Sequence, residues 1–145
     1  MAKDKEQSSA WIKSMLFQGW VSVALWMTLG LLLEGLLGYK IPAYLSDPQR
    51  RELFRLAHAH GTLLGIVLIV AALCAINFKI ALSPAPRLAL RIGALLMPGG
   101  FLLAGIWHTE SDPGLAIWIV PLAALMVIFG AIAMALSFLN KRVEK

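Results

Sequence analysis

Arg55-Leu56-Ala57-His58-Ala59-His60-Gly61-Thr62-Leu63-Leu64-Gly65 opens a stretch with no Lys, Arg, Asp or Glu after Arg55 until Lys79. About 20 mainly apolar residues suffice to cross a bilayer as a helix, so this stretch reads as a membrane span. Two imidazoles therefore stand at its mouth, where ionisable groups point to function by default.

Working outward, three more uncharged runs cover 14–33, 92–109 and 113–140. The third span extends backward through Arg87 and Arg91, whose long side chains can snorkel to the membrane surface. The pattern predicts four helices, at about 14–38, 49–78, 87–108 and 114–140, forming one domain over the 145 residues. No period-2 alternation suggests a barrel. The expected fold is an all-α membrane protein, a four-transmembrane-helix bundle. Composition agrees: 59% of residues are hydrophobic and only 14% charged, against about 25% charged in soluble domains.

The distribution of charge matters more than its sum of +5. Lys3, Lys5, Lys13, Lys79, Arg87, Arg91, Lys141, Arg142 and Lys145 fall on one side of a four-span topology, and Lys40, Arg50, Arg51 and Arg55 on the other. The positive-inside rule then places both termini in the cytoplasm, in what is expected to be the bacterial cytoplasmic membrane. The basic residues form no stripe interleaved with aromatics, so nucleic acid is not an expected partner. The polar residues 1–10 are expected to be frayed. They do not resemble a cleavable signal, and the apolar run after them is too long for a signal core, so the first helix is expected to remain as an anchor. Cys74 is the sole cysteine, which excludes an intramolecular disulfide and a thiolate cluster.

Breakers divide the spans. Ser46-Asp47-Pro48 reads as a helix start with proline in the first turn. Pro98-Gly99-Gly100 predicts a kink in the third span. Gly30, Gly35 and Gly38 on the first helix read as sites of close helix packing.

Alternating helix direction brings Glu34, His58, His60 and His108 to one depth, toward the outer face. Imidazoles there can bind haem iron, bind another metal with a carboxylate, or relay protons. Residues two apart on a helix point about 200° apart, so His58 and His60 do not readily share one metal. One histidine from each of two helices suits the two axial positions of a haem. Gly61 and Gly65 share the face of His58 and could admit a flat ligand, whereas His60 shares its face with Ala57, Leu64, Val67 and Ala71. Arg51 and Arg55 could pair with haem propionates.

Ala59-His60-Gly61-Thr62-Leu63-Leu64 resembles the Ala-His-Gly-apolar stretch on the second helix of haem-copper oxidase subunit I. The chain thus looks like the small four-helix membrane proteins regarded as relatives of that subunit. The resemblance implies that His60 is an axial ligand of haem b, with His108 or His58 completing the coordination, and that electron transfer or redox sensing is the function. It covers roughly a dozen residues. The chain lacks the further histidines and the His-Pro-Glu-type motif of the oxidase, so oxygen reduction by this polypeptide alone is excluded.

Two other functions fit the same residues. One is a non-haem metal site built from Glu34, His58 or His60, and His108. The other is a cofactor-free accessory or assembly subunit of a larger, respiratory-type membrane complex. No nucleophile and base pair suggests hydrolysis, and any enzymatic role would be redox. The expected partners are the lipid bilayer, a redox partner or larger complex, and a second copy of the chain.

Overall fold

A computed structural model describes the backbone of residues 2–80, 82–109 and 112–140, and the side chains of 10–80, 82–109 and 112–139. Five α-helices follow one another: α1 (Ala2–Gly38), the short α2 (Pro42–Leu45), α3 (Pro48–Asn77), α4 (Pro84–Ile106) and α5 (Ile119–Asn140). A 3-10 turn at Leu115–Trp118 precedes α5. Four stretches are long and apolar enough to cross a membrane: Ala10–Gly38, Pro48–Asn77, Pro84–Ile106 and Leu115–Leu139. The expected all-helical architecture, with four helices long and apolar enough to cross a membrane, is therefore present.

Several boundaries differ from the sequence reading, each for a local reason. The helix expected from 14 begins at Ala2, so the polar segment expected to fray is helical instead. Asp47 caps α3 as anticipated, its Oδ1 accepting the Arg50 backbone N–H at 2.9 Å, with Pro48 in the first turn. The last helix does not begin at Gly114, which sits at φ 71, ψ 180, a conformation that suits glycine and cannot start an α-helix. Regular hydrogen bonding resumes only at Ile119, leaving Pro121 in the first turn, where its missing N–H costs nothing. Helix α4 runs through Pro98-Gly99-Gly100 without interruption. Pro98 is fully buried there, and Gly100 lies against Val120. Glu110, and Lys141, Arg142 and Lys145 of the charge counted toward the cytoplasmic side, lie outside the described residues.

The long helices pack in chain order: α1 on α3, α3 on α4, and α4 on α5, while α1 barely meets α4. Each neighbouring pair is antiparallel, because Gly19 meets Gly65 while Gly30 meets His58, and Gly93 meets Ala123 while Gly130 meets Leu90. The arrangement is a row more than a closed bundle. Its outer helices, α1 and α5, keep most of their apolar surface exposed, as lipid contact allows.

Two buried clusters hold the row together. One gathers Met15, Leu64, Leu68, Ala72, Leu90 and Ala94; the other gathers Trp26, Leu53, Ala57, Phe101, Ala104 and Val120. At the α1–α3 seam the backbones approach so closely that a Cβ on Gly65 would stand 2.9 Å from the Gly19 carbonyl oxygen. One turn along, the Trp26 indole occupies the space above Gly61. Ser22 crosses the seam, its hydroxyl donating to the Gly61 carbonyl at 3.1 Å. Without a hydrophobic drive between helices in lipid, such close approach and side-chain hydrogen bonding supply the adhesion.

Gly61→Ala is accordingly expected to lower the melting temperature in detergent, at a cost of about 1–3 kcal/mol for overpacking against an indole that cannot swing clear. Gly35→Ala is the control, since a Cβ there meets nothing within 4 Å. It should leave stability unchanged or raise it by up to about 1 kcal/mol through helix propensity.

Candidate functional site

The polar residues singled out above gather at the end of the row that carries α2, opposite the beginning of α1 and the end of α5. They form three separate groups there.

His58 faces α1. Its Nδ1 lies 2.6 Å from the Trp26 carbonyl oxygen, and its ring fills the space that a side chain on Gly30 would need. Gly30 thus serves helix packing through one specific side chain. Beside the ring is a cavity of about 190 Å³, with Glu34 and Arg55 among its lining groups and Leu33, Leu37 and Tyr44 as apolar walls. The exposed pair Arg55–Glu52, at 3.6 Å, is the ion pair Arg55 makes among the described residues. Such a surface pair adds little to stability.

His60 faces α4. Its Nδ1 lies 2.9 Å from the Leu56 carbonyl oxygen one turn back. The ring centroid stands 5.1 Å from that of Phe101 at a 34° tilt. With Nδ1–H donating to a carbonyl, neutral His58 and neutral His60 each keep Nε2 as an open acceptor.

His108 stands just beyond the end of α4 and meets the start of α3. Its Nε2 approaches both Asp47 oxygens, at 2.8 and 3.0 Å, and its side chain is only 5% exposed. Nδ1 is buried with no hydrogen-bond partner among the described residues. Arg50 completes the junction, its Nε donating to the Gly105 carbonyl at 3.2 Å and its Nη2 standing 3.6 Å from Asp47. A surface cavity of about 720 Å³ opens here, bounded by Asp47, Arg50, His108 and Thr109 together with Ser46, Pro48 and Gln49. The guanidinium of Arg51 makes no hydrogen bond or ion pair among the described residues.

The contacts fix distances that the sequence left open. Asp47, which holds His108, precedes His60 by 13 residues along α3, about 20 Å at 1.5 Å per residue. Ligands of one metal ion must come within about 4 Å of each other at metal–nitrogen distances near 2 Å. His60 and His108 are therefore not placed as axial partners on one iron within a single chain, and His58 and His60 point to different helices. The Gly61 and Gly65 face, read as clearance for a porphyrin, is filled by Trp26 and by the backbone of α1. A haem shared by two of these histidines does not fit one chain. The non-haem set is likewise divided, since Glu34 joins His58 and Arg55 but neither His60 nor His108. Among the described residues no group of three or more His, Cys, Asp and Glu side chains is arranged to hold a metal ion.

Asp47 is the site residue that sequence reasoning missed, having been read only as a helix cap. The available signal was that the acid starts a helix at the same depth where His108 ends one. No protein-family model, curated protein or solved structure matches the chain. The likeness to haem-copper oxidase subunit I consequently rests on the residues around His60 alone.

The Asp47 carboxyl is held below its ordinary value of 3.8, first by the Arg50 backbone N–H and further by His108 and the Arg50 charge, with desolvation, second in size to that backbone hydrogen bond, opposing them. A depressed carboxyl stabilises the fold above its unfolded value and loses that contribution as pH falls through the folded one. Asp47→Asn keeps an acceptor for the cap and removes the charge. Wild type should therefore melt higher than Asp47→Asn at pH above 3.8, with the gap closing below it; a gap independent of pH in an acid melting series would contradict this account.

Proposed function

We propose that the chain is a small integral-membrane accessory subunit that works by joining a larger membrane complex and holds no complete cofactor site of its own. The observation that carries this reading is the separation of the three histidines, each with a ring nitrogen already turned to its own chain: Trp26 for His58, Leu56 for His60 and Asp47 for His108. Their described roles are to tie α3 to α1 and α4 to α3, and to satisfy the polar start of α3. The row supports the same reading, because α1 and α5 each have one long helical neighbour over most of their length and present broad lateral surfaces. Glu34 is exposed at the edge of the α1 surface. There it is suited to pair with a basic group of a partner helix, since a carboxylate at membrane depth calls for one. The charge distribution favours a bacterial cytoplasmic membrane with both termini inside and the histidine end outside.

A second reading keeps the haem and takes its other ligand from elsewhere. His60 favours it, because Leu56 fixes the ring so that Nε2 is open. The second axial group would come from another copy or another subunit, with Arg51 and Arg55 at the same end for propionates.

Purification of the tagged chain from its native membrane in mild detergent, with an absorption spectrum of the pool, separates the two. The accessory reading expects a larger membrane complex at fixed stoichiometry, reduced severalfold by Glu34→Lys, and no Soret band assignable to this chain. A Soret band that persists in the isolated chain and disappears in His60→Ala would overturn it in favour of the haem reading.

A further inference from the structure

At the opposite end of the row, two adjoining cavities that share Arg91 lie between α1 and α4. One, of about 320 Å³, is lined by Arg87 and Arg91 beside Trp11. The other, of about 270 Å³, runs between Phe17, Val21 and Leu25 of α1 and Leu95 of α4. Among the described residues no carboxylate lines either cavity.

Arg87 and Arg91 are four residues apart on α4, so two positive charges share one helix face, which is unfavourable unless an anion lies between them. Both side chains are held in place. Arg87 lies 4.9 Å over the Trp11 ring and donates from Nε to the Ser83 carbonyl at 3.2 Å. Arg91 donates from Nε to Gln18 Oε1 at 2.8 Å, and Gln18 Nε2 donates back to the Arg91 carbonyl at 2.8 Å. The remaining guanidinium N–H groups of Arg91 have no acceptor among the described residues, inside a helix long and apolar enough to span a membrane. The apolar groove follows α1 from Ser14 to Trp26, about 18 Å at 1.5 Å per residue, close to one leaflet of a hydrocarbon core about 30 Å thick.

We propose that this crevice is a binding site for one anionic phospholipid. Its phosphate sits between Arg87 and Arg91, and one acyl chain lies in the groove between α1 and α4. Charge chooses the headgroup, since a basic pocket between spanning helices attracts anionic lipids, and the groove supplies the apolar contact that a free phosphate lacks. The lipid would add to the contacts that Gln18 with Arg91 and Trp11 with Arg87 already make between the two helices.

The test is native mass spectrometry of the detergent-purified chain titrated with phosphatidylglycerol and with phosphatidylcholine of the same acyl length, alongside melting curves. Phosphatidylglycerol should bind preferentially and raise the melting temperature. Arg87→Gln and Arg91→Gln should each weaken its binding about fivefold. Leu95→Trp, which fills the groove and keeps both arginines, should weaken it as well. Inorganic phosphate, carrying the charge without the chain, should protect less than the lipid. Equal binding of the two lipids, unchanged binding in Arg87→Gln, or protection by phosphate equal to that by phosphatidylglycerol would each overturn the proposal. Should Arg91→Gln fail to fold, Arg87→Gln decides, because the described hydrogen bond of Arg87 stays at the start of its own helix and its described reach to α1 is the stacking on Trp11.

Discussion

The α1-facing side of the histidine-bearing end depends on how closely α1 can lie against α3. In lipid the helices gain nothing from hiding apolar side chains from one another, so the seam must be closed by fit. Gly19 and Gly65 let the two backbones approach, and the Ser22 hydroxyl bonds across. That approach sets the reach of the next two turns. It carries Trp26 over Gly61 and brings the Trp26 carbonyl to the His58 ring, which in turn requires a glycine at position 30. The first histidine is thus a consequence of the seam as much as a resident of it.

The third histidine, His108, follows from a second junction, where α3 begins and α4 ends. Asp47 gives one carboxyl group three tasks: it caps α3, accepts from His108 and stands near Arg50. Polar groups this near a membrane interface are costly when unmatched, and a single acid that matches several donors fastens two helix ends beside the apolar contact of Leu53 and Phe54 with Ala104 and Gly105. His60 lies between the two junctions, bonded to its own helix and set against Phe101.

A common depth for all four polar residues was not borne out, since His108 lies level with Asp47, about 20 Å along α3 from His60. The four long apolar helices, their order and the placement of Glu34, His58, His60 and His108 toward one end of them were legible in the sequence. Run length and alternating direction suffice for those. Lateral position was not legible. Depth says how far along a helix a residue lies, whereas a shared site also needs the residues on facing sides, and helix period alone does not tell which neighbour each side meets. Gly61 shows the difficulty: its missing side chain reads equally as room for a flat cofactor or for an indole, and only packing decides for Trp26. The start of α5 was misplaced because Gly114 has no helical signature of its own and its left-handed backbone emerges only in the turn. Asp47 was found as a cap and missed as a partner, since its two neighbours come from opposite ends of separate helices.

The order of the row has a kinetic consequence. Each long helix packs mainly on the one before it in the chain, so the contacts that build the fold are of low sequence separation, the condition under which folding is fast. During synthesis, which proceeds from the N-terminus, α3 can dock as soon as it follows α1, and α4 as soon as it follows α3, with no span waiting for a distant mate. The Gln18–Arg91 pair, joining residues 73 positions apart, is among the exceptions, with the stacking of Arg87 on Trp11. It can close only after three spans are in place, and so acts as a latch on an assembly whose other steps are nearest-neighbour additions.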